Sequence, residues 1–336
     1  MQRKSLIASL GLGFALTLLC APFLSAASEK TSKAIGISQV VEHPALDAVR
    51  MGLLTSLKEQ GFEVGKNLTV DYENAQGNLV TATQIASKLL SAPLDTIVAI
   101  STPSAQTVLY AATRSNKKVP IVFAAVSDPV SAKLEPAESH YPITGVTDSP
   151  DLKALLEVMQ HLLPNLKSVG LMFNPSESNS VSTITQFKAL LKARGIIVRE
   201  VTVTSTANVA QAMQSLIGKV DVLYFPQDNT VVSAINTVVS IATPSAAHPG
   251  IPLFCNDPLL VKQGVLAAVG YDYTEVGKEA GRVVAKLLKG ETIKDIPIHN
   301  PPHTTTVINK PLAEKFGLSE NLPLLTSDNP YLKMIP

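Results

Sequence analysis

The sequence predicts an α/β protein with two Rossmann-like lobes, each built around a parallel sheet. Short runs of β-branched residues alternate with amphipathic helical stretches through most of the 336 residues. The alternation begins again after about residue 147, and the join at 143–147 is strand-like, without a Pro- or Ser-rich linker. Alternating strands and helices favour parallel sheets. A short join favours lobes that hinge against each other.

The first half supplies four strands separated by helices. The first predicted strand, 34–38, precedes a helix over 44–60 that Gly61 ends. The remaining predicted elements of this half are strands 68–72, 96–100 and 119–123, with helices 80–90 and 104–114.

The second half opens with a helix at Asp151, whose apolar residues recur at three and four and which ends before Pro164. Its last predicted helix, 274–288, has Gly290 just beyond its end. The predicted elements between them are strands 168–173, 196–202, 221–225, 251–254 and 266–269, with helices 181–194, 209–217 and 230–242.

Residues 1–27 have the pattern of a cleaved export signal. A basic pair, Arg3 and Lys4, precedes an uncharged apolar run over 6–19, and small residues at 25 and 27 form a cleavage site. The run is shorter than the about 20 residues of a membrane span. Lipoprotein anchoring through Cys20 is the less favoured alternative, because a bulky Leu19 precedes it. We expect an exported, periplasmic protein that does not span the membrane after processing.

The composition argues against several classes of function. A net charge of +1, with 5% aromatic residues and no Trp, gives no basis for nucleic-acid binding. No phosphate-binding loop, nucleophile elbow or paired-cysteine motif follows residue 27. His299 and His303 are four apart but flank two prolines, which excludes a shared helical face for a metal. The sequence therefore predicts no catalytic residue, no metal and no cofactor, and we expect a monomer.

Small polar residues follow five of the predicted strands. Ligands bind outside the carboxyl ends of parallel strands, and free N–H groups at helix starts suit a carboxylate. An alternative stays open at each position, since the same residue types cap helices. The predicted ligand-binding residues are Thr102, Ser104, Ser127, Asp128, Asn174, Asn179, Ser180, Asp228, Asn229, Asp257 and Tyr271.

These residues suggest how a ligand would be held. Hydroxyl and N–H groups around Thr102, Ser104 and Ser127 would meet a carboxylate, and Asp228 or Asp257 would meet an ammonium group. Aromatic residues recur near the expected cleft, although some of them have a simpler role in filling the core. They are Phe123, Tyr224, Phe225, Tyr271 and Tyr273.

Seven ordered motifs carry a family resemblance over nearly the whole chain after residue 27. They are QVVEHPALD (39–47), YENAQG (72–77), TPSAQ (102–106), VFAAVSDPV (122–130), ITGVTD (143–148), the NP and NS pairs of 174–180, and DNT (228–230). In order and spacing the chain resembles the ABC-transporter substrate-binding family whose better-known members bind tryptophan or tyrosine. It departs from that family at 255–258, where relatives tend to be more acidic.

The resemblance implies a type I periplasmic-binding fold, with two Rossmann-like lobes and three crossover strands. It also implies that the ligand is an amino acid or a similar small molecule, often aromatic. It implies a membrane permease and its ATPase as partners, and ligand contacts on the strand-end loops. By analogy with that fold, one lobe combines 33–146 with 271–297, and the other combines 147–270 with 298–336. Two alternatives remain: a ligand-sensing subunit of a membrane signalling protein, which has the same sequence features, and an exported α/β enzyme.

Overall fold

Two β-sheets organise the chain, and the computed structural model describes residues 32–325 and 332–336. The predicted export signal, including Cys20, lies outside these described residues. Within them, no helix combines the length and the apolar character that a membrane crossing requires.

The first sheet has five strands in the order β2-β1-β3-β4-β5, and all of its pairings are parallel. Its strands are β1 (Lys33–Gln39), β2 (Leu68–Asn74), β3 (Thr96–Ile100), β4 (Ile121–Val126) and β5 (Ile143–Thr147). The helices of this half are α1 (Pro44–Glu59), α2 (Leu79–Ser91), α3 (Thr102–Thr113) and α4 (Pro136–Ser139).

The second sheet has seven strands in the order β12-β11-β10-β9-β8-β6-β7, and only the β10–β11 pairing is antiparallel. Its strands are β6 (Ser168–Phe173), β7 (Ile197–Thr202), β8 (Val222–Tyr224), β9 (Leu253–Cys255), β10 (Ala267–Gly270), β11 (Thr305–Asn309) and β12 (Leu332–Ile335). The helices of this half are α5 (Leu152–Leu162), α6 (Ser178–Ala193), α7 (Val209–Leu216), α8 (Asn229–Ser233), α9 (Ile235–Ala242), α10 (Tyr273–Leu288) and α11 (Lys310–Lys315).

The predicted α/β fold class is confirmed, with local differences that include the unpredicted short helix α4. The helix expected over 230–242 is broken at Ala234 into α8 and α9. The strand expected over 119–123 starts after Pro120, which has no N–H to donate, and continues to Val126. The C-terminal elements β11, α11 and β12 were not predicted.

Helix α10 brings the chain back to the first sheet after β10. It packs against α1 at very short range: a Cβ on Gly52 would lie 2.2 Å from the Thr274 carbonyl oxygen, and one on Gly277 would lie 2.1 Å from the Val49 oxygen. Only glycine allows this approach. Because α10 is held there, Tyr273 in its first turn reaches the loops at the carboxyl ends of the first sheet.

After α10 the chain crosses from the first sheet to the second. The backbone N–H of Thr147 donates to the carbonyl oxygen of His299 at 3.0 Å, next to a parallel bridge between Val146 and His299. From there the chain enters β11, which lies between β10 and β12 in the second sheet. Three connections therefore run between the two sheets, through β5, after β10 and at His299.

Candidate ligand-binding cleft

A small buried cavity lies between the loops at the carboxyl ends of the two sheets. Its volume is about 20 Å³, the space of roughly one water molecule. The residues that line it are His43, Ala45, Leu46, Ser101, Ala125, Ser127, Asp148, Asn179, Gln227, Asn229, Val232, Asp257 and Tyr273. The strand-end rule for open α/β sheets places ligands in this position.

On the side of the first sheet, two residues of the wall have unusual backbone conformations. Ser101, after β3, and Ala125, within β4, both have positive φ angles, of 82° and 56°. At Ala125 the register of β4 against β5 shifts, as at a β-bulge. These two conformations turn the chain so that the start of α3 and the end of β4 face the cavity.

Helices α1 and α3 begin at this wall. Their N-cap residues, His43 and Ser101, make no side-chain capping hydrogen bond. The first backbone N–H groups of a helix have no partner within the helix, and their positive end attracts anions. The two helix starts therefore offer backbone donors to a negatively charged group in the cleft.

Asp148 is the buried acid of the first wall, directly after β5. Its Oδ1 accepts from the Ser127 hydroxyl at 3.0 Å, and its Oδ2 accepts from the Tyr273 hydroxyl at 3.1 Å. Burial raises the pKa of Asp148 to about 6, against the opposing effect of the two hydroxyl donors. A full negative charge here calls for a cationic partner.

On the side of the second sheet, the wall is a network of side chains. The Glu177 carboxylate accepts four hydrogen bonds: from the backbone N–H and side-chain amide of Asn229 at 2.9 and 2.6 Å, and from the backbone N–H and hydroxyl of Thr230 at 3.0 and 2.9 Å. Glu177 thereby fixes the start of α8. The orientation of the Asn229 amide is set by this contact.

Two further buried aspartates belong to this wall, and their carboxylates differ. Asp228 accepts from the Asn174 N–H at 2.6 Å and from the Val231 N–H at 2.9 Å, so both of its oxygens are occupied. Asp257 accepts from the Leu259 N–H through Oδ1, at 2.9 Å, whereas its Oδ2 is buried without a partner. Asp257 lines the cavity and Asp228 does not.

Both carboxyl groups have raised pKa values. Burial, together with the nearby charge of Glu177, raises the pKa of Asp228 to about 7. Burial, together with the charge of Asp148, raises the pKa of Asp257 to about 7. A charged Asp257 carboxylate is costly to bury without a partner, and a cationic ligand would reduce that cost.

Hydrogen bonds cross the cleft at its floor and at its rim. At the floor, the Asn229 Oδ1 atom accepts from the Ser101 hydroxyl at 3.3 Å and lies 3.4 Å from the His43 Nε2 atom. At the rim, Ser182 donates to Asp128, and Ser178 donates to Gln106 at 3.2 Å. These contacts hold the two sheets in a narrow arrangement.

A match to a protein family covers nearly all of the described residues. The sequence profile described as "ABC transporter substrate binding protein" matches residues 34–328. The chain belongs to this family. This match confirms the resemblance that the sequence motifs indicate. Substrate-binding proteins of ABC transporters bind small ligands outside the cytoplasmic membrane and work with a permease and its ATPase.

Three relatives of this substrate-binding protein are informative. It is 36% identical over 310 residues to the tyrosine-binding protein of Clostridioides difficile strain R20291, covering 90% of this chain and 86% of that one. A Streptococcus pneumonia ABC domain solved with L-Trp is 29% identical, with a TM-score of 0.83 over 91% of this chain and 100% of that one. A ligand-free, open substrate binding protein with adhesive properties from Clostridium difficile is 36% identical, with a TM-score of 0.66 over 90% and 99%.

The two structural likenesses differ in a way that sequence identity does not explain. The open, ligand-free chain is the more similar in sequence, yet the L-Trp complex is the more similar in shape. The two sheets of this substrate-binding protein are therefore arranged more as in the ligand-bound relative than as in the open one. The hydrogen bonds across the cleft fit that arrangement.

The structure brings four of the predicted site residues to the cavity: Ser127, Asn179, Asn229 and Asp257. Thr102 and Ser104 are buried in the first turn of α3, and Asp128 is at the rim. Asn174, Ser180 and Asp228 are buried but do not line the cavity, and Tyr271 is buried in the core beside α10. As ligand contacts, all eleven residues stay predictions.

The cavity residues His43, Ser101, Asp148 and Gln227 were missing from the predicted ligand-binding residues, whereas Tyr273 was one of the aromatic residues expected near the cleft. Asp148 and Ser101 directly follow strands, so the strand-end rule applied to every strand finds them. The other aromatic candidates pack elsewhere: Phe123 is wholly buried in the core, and the Tyr224 ring lies 4.5 Å from that of Phe187. Among the described residues, no cluster of His, Cys, Asp and Glu has the arrangement of a metal site.

Proposed function

We propose that this chain is the exported binding component of an ABC importer and that it binds an aromatic amino acid in the cleft. The observation that carries the proposal is the Asp257 carboxylate. It lies 3% exposed in the cavity wall, and its Oδ2 has no partner. An ammonium group would satisfy that oxygen with a charge-assisted hydrogen bond.

The same cleft offers separate positions for the two charged groups of an amino acid. Asp257 and Asp148 would face the ammonium group, and the N–H groups at the starts of α1 and α3 would face the carboxylate. Of the two aspartates predicted from the sequence for the ammonium, Asp257 is the better placed, because it lines the cavity with an unpaired oxygen, whereas Asp228 does not line the cavity.

The aromatic character of the ligand is supported by the relatives and by the remaining wall. One relative is named a tyrosine-binding protein and another was solved with L-Trp. In this chain Leu46, Val232 and the Tyr273 ring supply apolar surface to the cavity. An aromatic ring against Tyr273 would gain about 0.5–1.5 kcal/mol beyond its buried area.

Ligand entry would require the cleft to widen. A cavity of about 20 Å³ has no room for an amino acid. We therefore propose two lobes with the boundaries given above, which separate to admit the ligand and close on it through the contacts of Asn229 and of the rim.

The other parts of the proposal follow from this role. Residues 1–27 would be removed on export without lipidation of Cys20, and the product would act as a periplasmic monomer. It would deliver its ligand to a permease and its ATPase, without catalysing a reaction and without binding nucleic acid or a cofactor.

Calorimetry on the chain from Ser28 onwards tests the proposal. Tryptophan, tyrosine and phenylalanine are titrated alongside leucine and glutamine, and the best aromatic is expected to bind about tenfold tighter than either control. At 100 times its dissociation constant, that ligand should stabilise the fold by about 2.7 kcal/mol. Tighter binding of leucine or glutamine than of all three aromatics would overturn the assignment.

A further inference from the structure

The hydroxyl donors around the cavity are already committed to protein acceptors. The Ser101 hydroxyl donates to Asn229, and the hydroxyls of Ser127 and Tyr273 both donate to Asp148. Each hydroxyl has one proton to donate. These three side chains therefore have no proton left for a ligand.

Two of the three amide side chains that line the cavity, Asn179 and Gln227, have oxygen atoms without a hydrogen-bond donor. The Asn179 Nδ2 atom donates to the Gln227 carbonyl oxygen at 2.7 Å, and the Gln227 Nε2 atom donates to the Asp148 carbonyl oxygen at 2.9 Å. Backbone carbonyls only accept, so both amide orientations are fixed. Asn179 Oδ1 and Gln227 Oε1 are left buried and unpaired, as is Asp257 Oδ2.

His43 adds a fourth acceptor from the opposite wall. The Asn229 amide nitrogen is held by Glu177, so the Asn229 oxygen faces His43 and the His43 Nε2 atom must carry the proton. Burial lowers the pKa of His43 to about 4, which keeps the ring neutral. Its Nδ1 atom is then an unprotonated acceptor, buried without a partner.

The charges around the cavity have one sign. Its lining residues include the acids Asp148 and Asp257 and neither Lys nor Arg. Among the residues that line the cavity, an amino-acid carboxylate would therefore find donors only in backbone N–H groups, whereas an ammonium group would meet two acids and three further acceptors. A protonated primary amine, with three N–H donors, matches this set better than any neutral or anionic group.

We propose that the protonated primary amine is the charged group on which binding depends, and that the cleft therefore also takes aromatic monoamines that have no carboxylate. The inference rests on the proposed function for the identity of the site. It extends the ligand class from aromatic amino acids to their decarboxylated counterparts.

A panel of analogues tests the inference by calorimetry at pH 8. The tyrosine series is tyrosine, tyramine and 3-(4-hydroxyphenyl)propionate, and the tryptophan series is tryptophan, tryptamine and indole-3-propionate. Removal of the amine is expected to weaken binding about 100-fold, because it leaves the buried acceptors unpaired. Removal of the carboxylate is expected to weaken binding by less than about tenfold.

The Asp257→Asn variant identifies the group responsible. It is expected to weaken tyrosine and tyramine at least tenfold and to leave the deaminated acid unchanged, because only the amines use the carboxylate. Asp272→Asn is the matched control, since Asp272 caps α10 through the Thr274 N–H but is exposed to solvent. This control is expected to bind all three compounds like the parent protein.

The outcomes separate this inference from the proposed function. If the deaminated acids bind more tightly than the monoamines while the amino acids bind normally, the inference is wrong and the proposed function stands. If monoamines bind and amino acids do not, the inference stands and the amino-acid assignment is wrong. Failure of both amines and amino acids to bind overturns both.

Discussion

The two walls of the cleft reach the same cavity by different means. On the side of the first sheet, unusual backbone conformations at Ser101 and Ala125 carry the chain past the cavity. On the side of the second sheet, side chains such as Glu177 and Asn229 are fixed by dense hydrogen bonding in ordinary backbone. Both walls contain buried acids, but non-glycine residues with positive φ occur only in the first wall.

The strain is confined to one half of the described chain. All of its non-glycine residues with positive φ precede the middle of the chain; they are Gln76, Ser101, Ala125, Lys133 and His140. A non-glycine residue in this region costs about 1–2 kcal/mol. The second half has positive φ only at glycines within its described part. The second wall therefore depends on its hydrogen bonds, and a substitution that removes them should lower stability. In the first wall, a substitution that relieves backbone strain should raise it.

The largest effect is expected for Glu177→Ala in the second wall. Loss of the carboxylate leaves the backbone N–H groups of Asn229 and Thr230 buried and unpaired, so the free energy of unfolding should fall by roughly 4 kcal/mol. Urea unfolding measures this. Glu314→Ala, on the exposed side of α11, is the control and should change stability by less than about 0.5 kcal/mol. Equal small effects of both would mean that the network does not hold the wall.

An intermediate effect is expected from pH, without ligand. The carboxyl pKa values of Asp148, Asp228 and Asp257 are raised from 3.8 to about 6, 7 and 7 by burial. Between about pH 4 and pH 7 the folded chain then binds more protons than the unfolded one at these sites, so stability falls as pH rises. The lowered pKa of His43 acts in the opposite direction between pH 4 and 6.5, but it is one group against three.

Thermal unfolding at pH 5.5 and pH 8 measures the effect. The protein should be more stable at pH 5.5, and Asp257→Asn should remove about 2 kcal/mol of the difference, since one pKa unit corresponds to 1.36 kcal/mol. Asp272→Asn should leave the difference as it is. Stability that rises between these two pH values would contradict the assignment of buried, protonated carboxyls.

The contrast between the walls also explains what the sequence predicts. Asp257 and Asn229 were found because a polar residue after an apolar strand is visible in the sequence, whatever its role. The same rule selected Asp228, whose oxygens are occupied by Asn174 and Val231. Sequence spacing does not distinguish a capping carboxylate from one with a free oxygen, because that depends on contacts between separate loops.

The first wall was harder to predict because it depends on backbone conformation and on contacts between elements that are distant in the sequence. The positive φ of Ala125 leaves no mark in the sequence, since glycine is the residue normally expected there. Tyr273 reaches the cavity only because α10 packs against α1 at Gly52 and Gly277, which is a long-range contact. The alternation of strands and helices, in contrast, is local, and it predicted the fold class.

The smallest effect is expected for Ala125→Gly in the first wall, which tests the backbone strain directly. Glycine adopts φ of 56° without a steric penalty, which should recover about 1–2 kcal/mol of strain. It also increases the entropy of the unfolded chain, at a cost of about 0.5–1 kcal/mol. We therefore expect unchanged or slightly higher stability, by up to about 1 kcal/mol.

Ala99→Gly is the control, because Ala99 is also buried within a strand, β3, but lacks a positive φ. This variant should lose about 1 kcal/mol of stability in urea unfolding. Equal losses at both positions would mean that the bend at Ala125 contains no strain.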